Sequence, residues 1–196
     1  MIASANQGKV GEMRSILDEC GFEVVSRNEL GIDVDIAETG ATFLENAVLK
    51  AKAICEISGL PSIADDSGLV VDALGGDPGV DTSSYGGEAL TDLERCAYLL
   101  EKMENMGQRG ARFVCIIACA LPDGGLLTAE GECRGEIATS LQGDDGFGFD
   151  PVFLIPGRGK TLAELTPDEK NAISHRGKAL RAFADRIRNS KSVVIP

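Results

Sequence analysis

The stretch from Thr42 to Gly68 constrains the fold more than any other part of the chain. Thr42 to Ser58 reads as a helix, opened by Thr39-Gly40 and closed by Gly59-Leu60-Pro61. Leu44, Ala47, Val48, Ala51, Ile54 and Cys55 share one side of it, while Glu45, Lys52 and Glu56 point the other way. Ser62–Ala64 follows at once as a short strand and runs into Asp65-Asp66-Ser67-Gly68. The rest of the chain continues this alternation. Helices are expected over Val10–Cys20, Leu90–Met106, Thr166–Asn171 and Ser174–Asn189. Strands are expected over Phe22–Val25, Phe113–Leu121, Leu126–Cys133 and Val152–Ile155, with Pro122-Asp123-Gly124-Gly125 as a hairpin turn. Alternating helices and strands around a hairpin predict an α/β protein with a mixed sheet. A length of 196 residues suits a single domain, 1–196, with two lobes.

Charge narrows the classes of function. The net charge is −12, which argues against a general nucleic-acid binder. It is unevenly spread: six Lys/Arg and one acid lie from His175 onward, against 13 and 30 before it. An acidic body favours a metal site, and a basic patch can still meet phosphates. The sequence shows neither a membrane-spanning apolar run nor a signal-peptide pattern at Met1, so a cytoplasmic protein is expected. The six cysteines are scattered without a CxxC pair. Cys115 and Cys119 would share a strand face ~13 Å apart, too far for a disulfide or a shared metal, so reduced, buried thiols are expected.

Five places carry chemistry. Asn6-Gln7-Gly8-Lys9 sits between a strand-like start and a helix, where backbone N–H groups and Lys9 suit a phosphate; a plain turn is the alternative. It is not a P-loop, because Val10 follows Lys9 and the first glycine is missing. Asn46 and Lys50 lie one turn apart at the edge of the apolar helix face, where Lys50 either looks into a cleft or only snorkels. Asp65 and Asp66 should point to opposite sides of their strand, so one of them can hold Mg²⁺, with Glu38 a possible second carboxylate; an Asx-turn is the alternative. Gly146-Phe147-Gly148-Phe149-Asp150-Pro151 spends two of only seven Phe on one loop, either to stack on a purine or to fill a core. Ser174-His175-Arg176 holds the only histidine and sets two basic residues in the first turn of a helix, where they oppose the macrodipole.

Taken together, these segments resemble the inosine/xanthosine triphosphate pyrophosphatase (Ham1-like) family. The resemblance rests on Ser4–Lys9, on Glu38-Thr39-Gly40 with Thr42-Phe43 and Glu45-Asn46-Ala47, and on Ala64–Gly68 with Ala73-Leu74-Gly75-Gly76 and Pro78-Gly79-Val80. Gly146–Pro151, Glu169-Lys170 and Ser174-His175-Arg176 complete it. It implies an elongated, bent, mixed sheet flanked by helices, two lobes with a central cleft, and a homodimer. It implies Mg²⁺ on Asp66 and Glu38, with Asp66 as the catalytic carboxylate. Ser4, Ala5, Asn6, Gln7, Gly8, Lys9, Lys50, Ser67 and Lys170 would hold the triphosphate and sugar. Phe147, Gly148, Phe149 and Asp150, with His175 and Arg176, would hold the base. Water would attack the α-phosphorus of ITP, dITP or XTP, giving monophosphate and pyrophosphate. The chain departs from the family at Ala5, usually Gly, and at Asp81 and Ser84, commonly Tyr and Arg; only three residues precede the first loop. A Maf-like pyrophosphatase for other nucleotides and a non-catalytic nucleotide-binding module are the competing readings.

Overall fold

The computed structural model describes residues 1–189, so Lys191 of the basic tail lies outside the described residues. The elements are α1 (Gln7–Glu19), α2 (Phe43–Ser58), β1 (Ser62–Val71), α3 (Asp92–Lys102), β2 (Gly110–Ala120), β3 (Leu126–Ile137), β4 (Phe153–Ile155), β5 (Lys160–Thr161), α4 (Pro167–Ile173) and α5 (His175–Asn189). The α/β class stands. The strands form one sheet in the order β1-β2-β3-β4-β5, with β3, β4 and β5 pairing antiparallel. Among the described residues, parallel pairing outside the named strands consists of single bridges from Ile2 to Ser26 and to Ile63. The strand expected over Phe22–Val25 therefore reduces to a bridge at Ser26. No described helix is long and apolar enough to cross a membrane.

Two compact units divide the chain. The first comprises residues 1–66, 115–131 and 175 onward; the second comprises 67–114 and 132–174. The strands β1, β2 and β3 each begin in one unit and end in the other.

In the first unit the two-residue period of a strand decides which helix each side chain meets. Ile63, Cys115, Ile117 and Cys119 pack with Val10, Met13, Ile16 and Leu17 of α1 and with Ala179, Leu180 and Phe183 of α5. Ala64, Ala118 and Ala120 pack with Ala47, Ala51, Ile54 and Cys55 of α2. Small residues on this second face let α2 sit close. Leu44, expected on the apolar side of α2, is instead exposed, and Asn46 takes a buried place. Cys115 and Cys119 are buried free thiols on one face, and burial pushes the Cys119 thiol up to about 11. Against β3, α5 comes so near that a Cβ on Gly131 would lie 2.2 Å from the His175 carbonyl oxygen and 2.4 Å from the Ala179 nitrogen.

In the second unit, Leu69, Val71, Ala111, Phe113, Cys133, Ile137, Phe153 and Ile155 of the strands pack with Cys96 and Leu99 of α3 and with Met103, which caps it. The Arg95 guanidinium donates to the carbonyls of Tyr85, Gly87 and Leu90, fixing the loop before α3. That loop contains Asp81 and Ser84, whose departure from the family pattern the contacts found here do not explain.

Candidate active site

The carboxylates Asp65 and Asp66 lie inside β1, not at a strand end as expected, because the strand runs on to Val71. Their order along the strand sends them to opposite faces. Asp65 follows Ile63 onto the side of α1 and α5, and Asp66 follows Ala64 onto the side of α2. A buried carboxylate needs cationic or hydrogen-bonding partners, and each face supplies its own.

On the α1/α5 face, Asp65 is 2% exposed. Its Oδ2 accepts from Arg176 Nη2 at 2.9 Å and Nε at 3.2 Å, and lies 3.2 Å from Lys9 Nζ. Arg176 also bonds Glu12 through Nη1. Lys9 and Glu12 are three residues apart on α1 and so share a face. Burial alone would push the Asp65 carboxyl up. The charges of Lys9, Arg176 and Lys50, with the Arg176 hydrogen bond, outweigh it and hold Asp65 well below the usual carboxylate range. Burial would also lower Arg176, but Asp65 and Glu12 raise it, so it stays charged although 1% exposed.

On the α2 face, Asp66 Oδ1 accepts from Lys50 Nζ at 2.9 Å, and Oδ2 from Asn46 Nδ2 at 3.4 Å. The same Lys50 ammonium lies 3.1 Å from Glu38 Oε2. Here burial prevails: it pushes Asp66 up to about 6 against Lys50 and Lys9, and Glu38 adds to the rise. Lys50 itself is lowered by burial but raised more by Asp66, Asp65 and Glu38, so it remains an ammonium. Two adjacent carboxylates are thus set apart: Asp65 is a fixed anion, whereas Asp66 exchanges a proton near neutrality.

The first loop is an exposed helix start. Asn6 caps α1, its Oδ1 accepting from Lys9 N at 3.0 Å, and Ser4 Oγ accepts from Asn6 N at 3.2 Å. Ala5, Asn6, Gln7 and Gly8 are exposed and Lys9 half-buried. Ser67, half-buried, is the first residue of the second unit and follows Asp66 in β1.

Within the second unit, Gly146–Pro151 folds around Asp150. Its Oδ2 accepts from the Phe147 N–H at 2.9 Å and from Lys170 Nζ at 2.6 Å. A Cβ on Gly146 would lie 2.2 Å from that oxygen, and Gly146 has φ +82°, so glycine is required twice over. Lys170 lies 4.5 Å from the centre of the Phe147 ring. The expectation that both rings face a base needs correction for Phe149. It is 1% exposed and packs edge-on against Tyr85, 6.5 Å between centroids, as part of the core. Phe147 stays half-exposed. Gly148 N–H is held by Asp92 at 2.7 Å.

Sequence reasoning gives Asp66 and Glu38 to a metal and Lys50 to the triphosphate; in the structure Lys50 lies against both carboxylates. It placed Lys170 with the phosphates, whereas its buried ammonium meets Asp150 and Phe147. It gave Arg176 to the base, whereas the guanidinium meets Asp65 and Glu12. His175 is buried at 5% exposure. Glu12 was missed altogether, and only its spacing from Lys9 could have signalled it. Asn46 was noted on the helix edge but not counted in the site; a polar amide one turn before Lys50 was the available signal.

The profile of the Ham1 family matches residues 1–186. This chain is a member of the Ham1 family. It is 51% identical to a dITP/XTP pyrophosphatase of Geobacillus kaustophilus, over 92% of the chain and 89% of that protein. It is 46% identical to the dITP/XTP pyrophosphatase of Escherichia coli K12, over 96% and 98%. The fold matches the Ham1 protein of Coxiella burnetii with a TM-score of 0.87, 41% identity and coverage of 96% and 98%. The Ham1 protein of Staphylococcus aureus matches at 0.86, with 40% identity over 97% and 98%.

Proposed function

We propose that this Ham1 family member hydrolyses ITP, dITP and XTP to the nucleoside monophosphate and pyrophosphate, clearing them from the nucleotide pool. The observation that carries the chemistry is Asp66, gripped through both oxygens by α2 beside Glu38 and pushed up to about 6. Such a carboxylate is ionised at neutral pH yet accepts a proton more readily than an ordinary one. The relatives named above support the substrate class.

The donor set fits Mg²⁺. Glu38 and Asp66 are hard oxygen donors close enough to share one ammonium. Among the described residues no group of three or more His, Cys, Asp or Glu could hold a metal. A cation held by two carboxylates must complete its shell with water and substrate oxygens, as Mg²⁺ does. Bound there, Mg²⁺ would neutralise phosphate charge and make water more acidic. Asp66 orients the attacking water and takes its proton as the oxygen reaches the α-phosphorus and the bond to the pyrophosphate oxygen breaks. The first loop, from Ser4 and Ala5 through Asn6, Gln7 and Gly8, offers exposed backbone, and Lys9 and Lys50 supply positive charge, so the polyphosphate is clamped before reaction. Ser67 joins this group. Arg176 serves it by holding Asp65, which positions Lys9. Within the second unit, Phe147 offers the ring face for a purine, with Gly148, Asp150 and Lys170 in support. The cytoplasmic compartment and the homodimer belong to this reading as well, with no nucleic acid or membrane partner.

The test is phosphate release coupled to an inorganic pyrophosphatase, with ITP, XTP, ATP and GTP side by side and Mg²⁺ varied. Preferential, Mg²⁺-dependent turnover of ITP and XTP is expected. Equal turnover of ITP and ATP would remove the substrate assignment.

A further inference from the structure

Two side chains of α2, one turn apart, reach both Asp66 and the segment that carries Glu38. Lys50 spans Glu38 and Asp66 by charge. Asn46 spans the same gap by hydrogen bonds: its Oδ1 accepts from the Gly40 N–H at 2.7 Å, and its Nδ2 donates to Asp66 Oδ2 at 3.4 Å. Asn46 is 3% exposed, so a solvated role is excluded. It occupies a helix position where an apolar residue would otherwise join Ala47 and Ala51. A buried amide there sacrifices apolar contact, and its two hydrogen bonds offset that loss. Lys50 alone cannot fix the gap, because an ammonium on a four-carbon stem is a mobile point charge. The planar amide is short and has a distinct end for each partner.

The segment is also pressed onto Asn46. A Cβ on Gly40 would lie 2.6 Å from Glu45 Cβ, 2.7 Å from Asn46 Oδ1 and 2.9 Å from the Asn46 nitrogen. Glu45 Oε2 accepts from Ala41 N–H at 2.7 Å, so a second hydrogen bond, at the next residue, ties the segment to the first turn of α2.

We infer that Asn46 is a positioning residue that sets the separation of the Glu38 and Asp66 carboxylates and thereby the affinity of the site for a divalent cation. This rests on the Mg²⁺ reading of those two carboxylates. Residues one shell behind metal ligands typically alter affinity by about 10–100-fold when removed.

The experiment titrates Mn²⁺ into the substrate-free full chain and counts free ion by electron paramagnetic resonance. Wild type, Asn46→Ala, Gly40→Ala and Asp66→Asn are compared, each with a thermal melt and with steady-state turnover of ITP across a metal range. Asn46→Ala and Gly40→Ala strike one hydrogen bond from its two ends. Both should raise the Kd for Mn²⁺ by about tenfold or more. Turnover of both should recover towards wild type at high metal, with KM for ITP little changed there. If either folded variant binds Mn²⁺ as tightly as wild type, the inference fails and the metal reading survives. If wild type and Asp66→Asn bind Mn²⁺ alike, the metal reading fails and takes the inference with it. Lower melting temperatures with unchanged affinity would make Asn46 purely structural and would also overturn it.

Discussion

The site residues of the first unit and the 146–151 loop of the second each bury a carboxylate against a cation, but they use the pair differently. Asp150 turns one oxygen to Lys170 and to the N–H of Phe147, three residues earlier in its own loop. The charge there closes a local turn and sets the pose of a ring. In the first unit Asp65, Asp66, Glu38 and Glu12 face Lys9, Lys50 and Arg176, drawn from α1, α2, β1, α5 and the segment before α2. There, acids and cations from five parts of the chain share one network, whereas the loop closes on itself. In the proposed reading, chemistry belongs to the shared network and shape recognition to the closed loop.

The sharpest way to break that division is Asp66→Asn. Turnover should fall by roughly a thousandfold, within the range of general-base catalysis. Its melting temperature above pH 7 should be equal to or higher than wild type, because burial already disfavours the ionised form. Near-normal turnover would place the chemistry elsewhere.

Next in size is Arg176→Ala. Removing it strands Asp65 as a buried anion, at a cost of roughly 3–5 kcal/mol. At about 2–4 °C per kcal/mol for a chain of this size, the melt should drop by on the order of 10 °C. The companion measurement is the ITP/ATP turnover ratio. An unchanged ratio with a lowered melt confirms Arg176 as the holder of Asp65, and a narrowed ratio with an intact melt would make it a base reader.

Phe147→Ala probes the other region. Loss of a stacking face should raise KM for ITP about tenfold, since stacking on an aromatic is worth about 1–3 kcal/mol, and should leave the melt almost unmoved. A kcat loss at constant KM would dissolve the contrast between the two regions.

The smallest effect is in pH. Asp66, raised from its ordinary 3.8 to about 6, makes the folded state bind the extra proton, so its contribution to stability falls as pH climbs from about 4 to 6. Asp65 is depressed, so its contribution is present above the ordinary carboxylate range and lost as pH falls below it. Melts in chelator from pH 4 to 8 should show a decline between pH 4 and 6 that Asp66→Asn abolishes.

Much of this was legible in the sequence because it is local. The 3.6-residue pattern after Thr42 set α2, and Asn46 and Lys50 followed from their spacing on it. Opposite faces for Asp65 and Asp66 followed from the two-residue period. What was illegible depends on distant partners. Nothing in Ser174-His175-Arg176 says that the arginine will meet Asp65, 111 positions away. Leu44 reads as core, yet it lies near the start of α2 and is exposed. Phe149 and Phe147 look equivalent in a Gly-bordered loop, and only Tyr85 and the core decide which ring is buried. The strand at β1 ran past its expected end because two buried, ion-paired aspartates read like a polar turn.

Gly131 has a mechanical consequence. Backbone of α5 rests directly on β3 there, with no side chain as a cushion. Strand and helix therefore have no compliant layer between them at the turn that carries Arg176. A thermal rocking of α5 must drag the strand with it, and the guanidinium moves only as far as the sheet flexes. The stiffness felt by Asp65 is thus set at a position with no side chain at all. One added methyl group there would collide with the backbone of α5 and force helix and strand apart, with no change of charge.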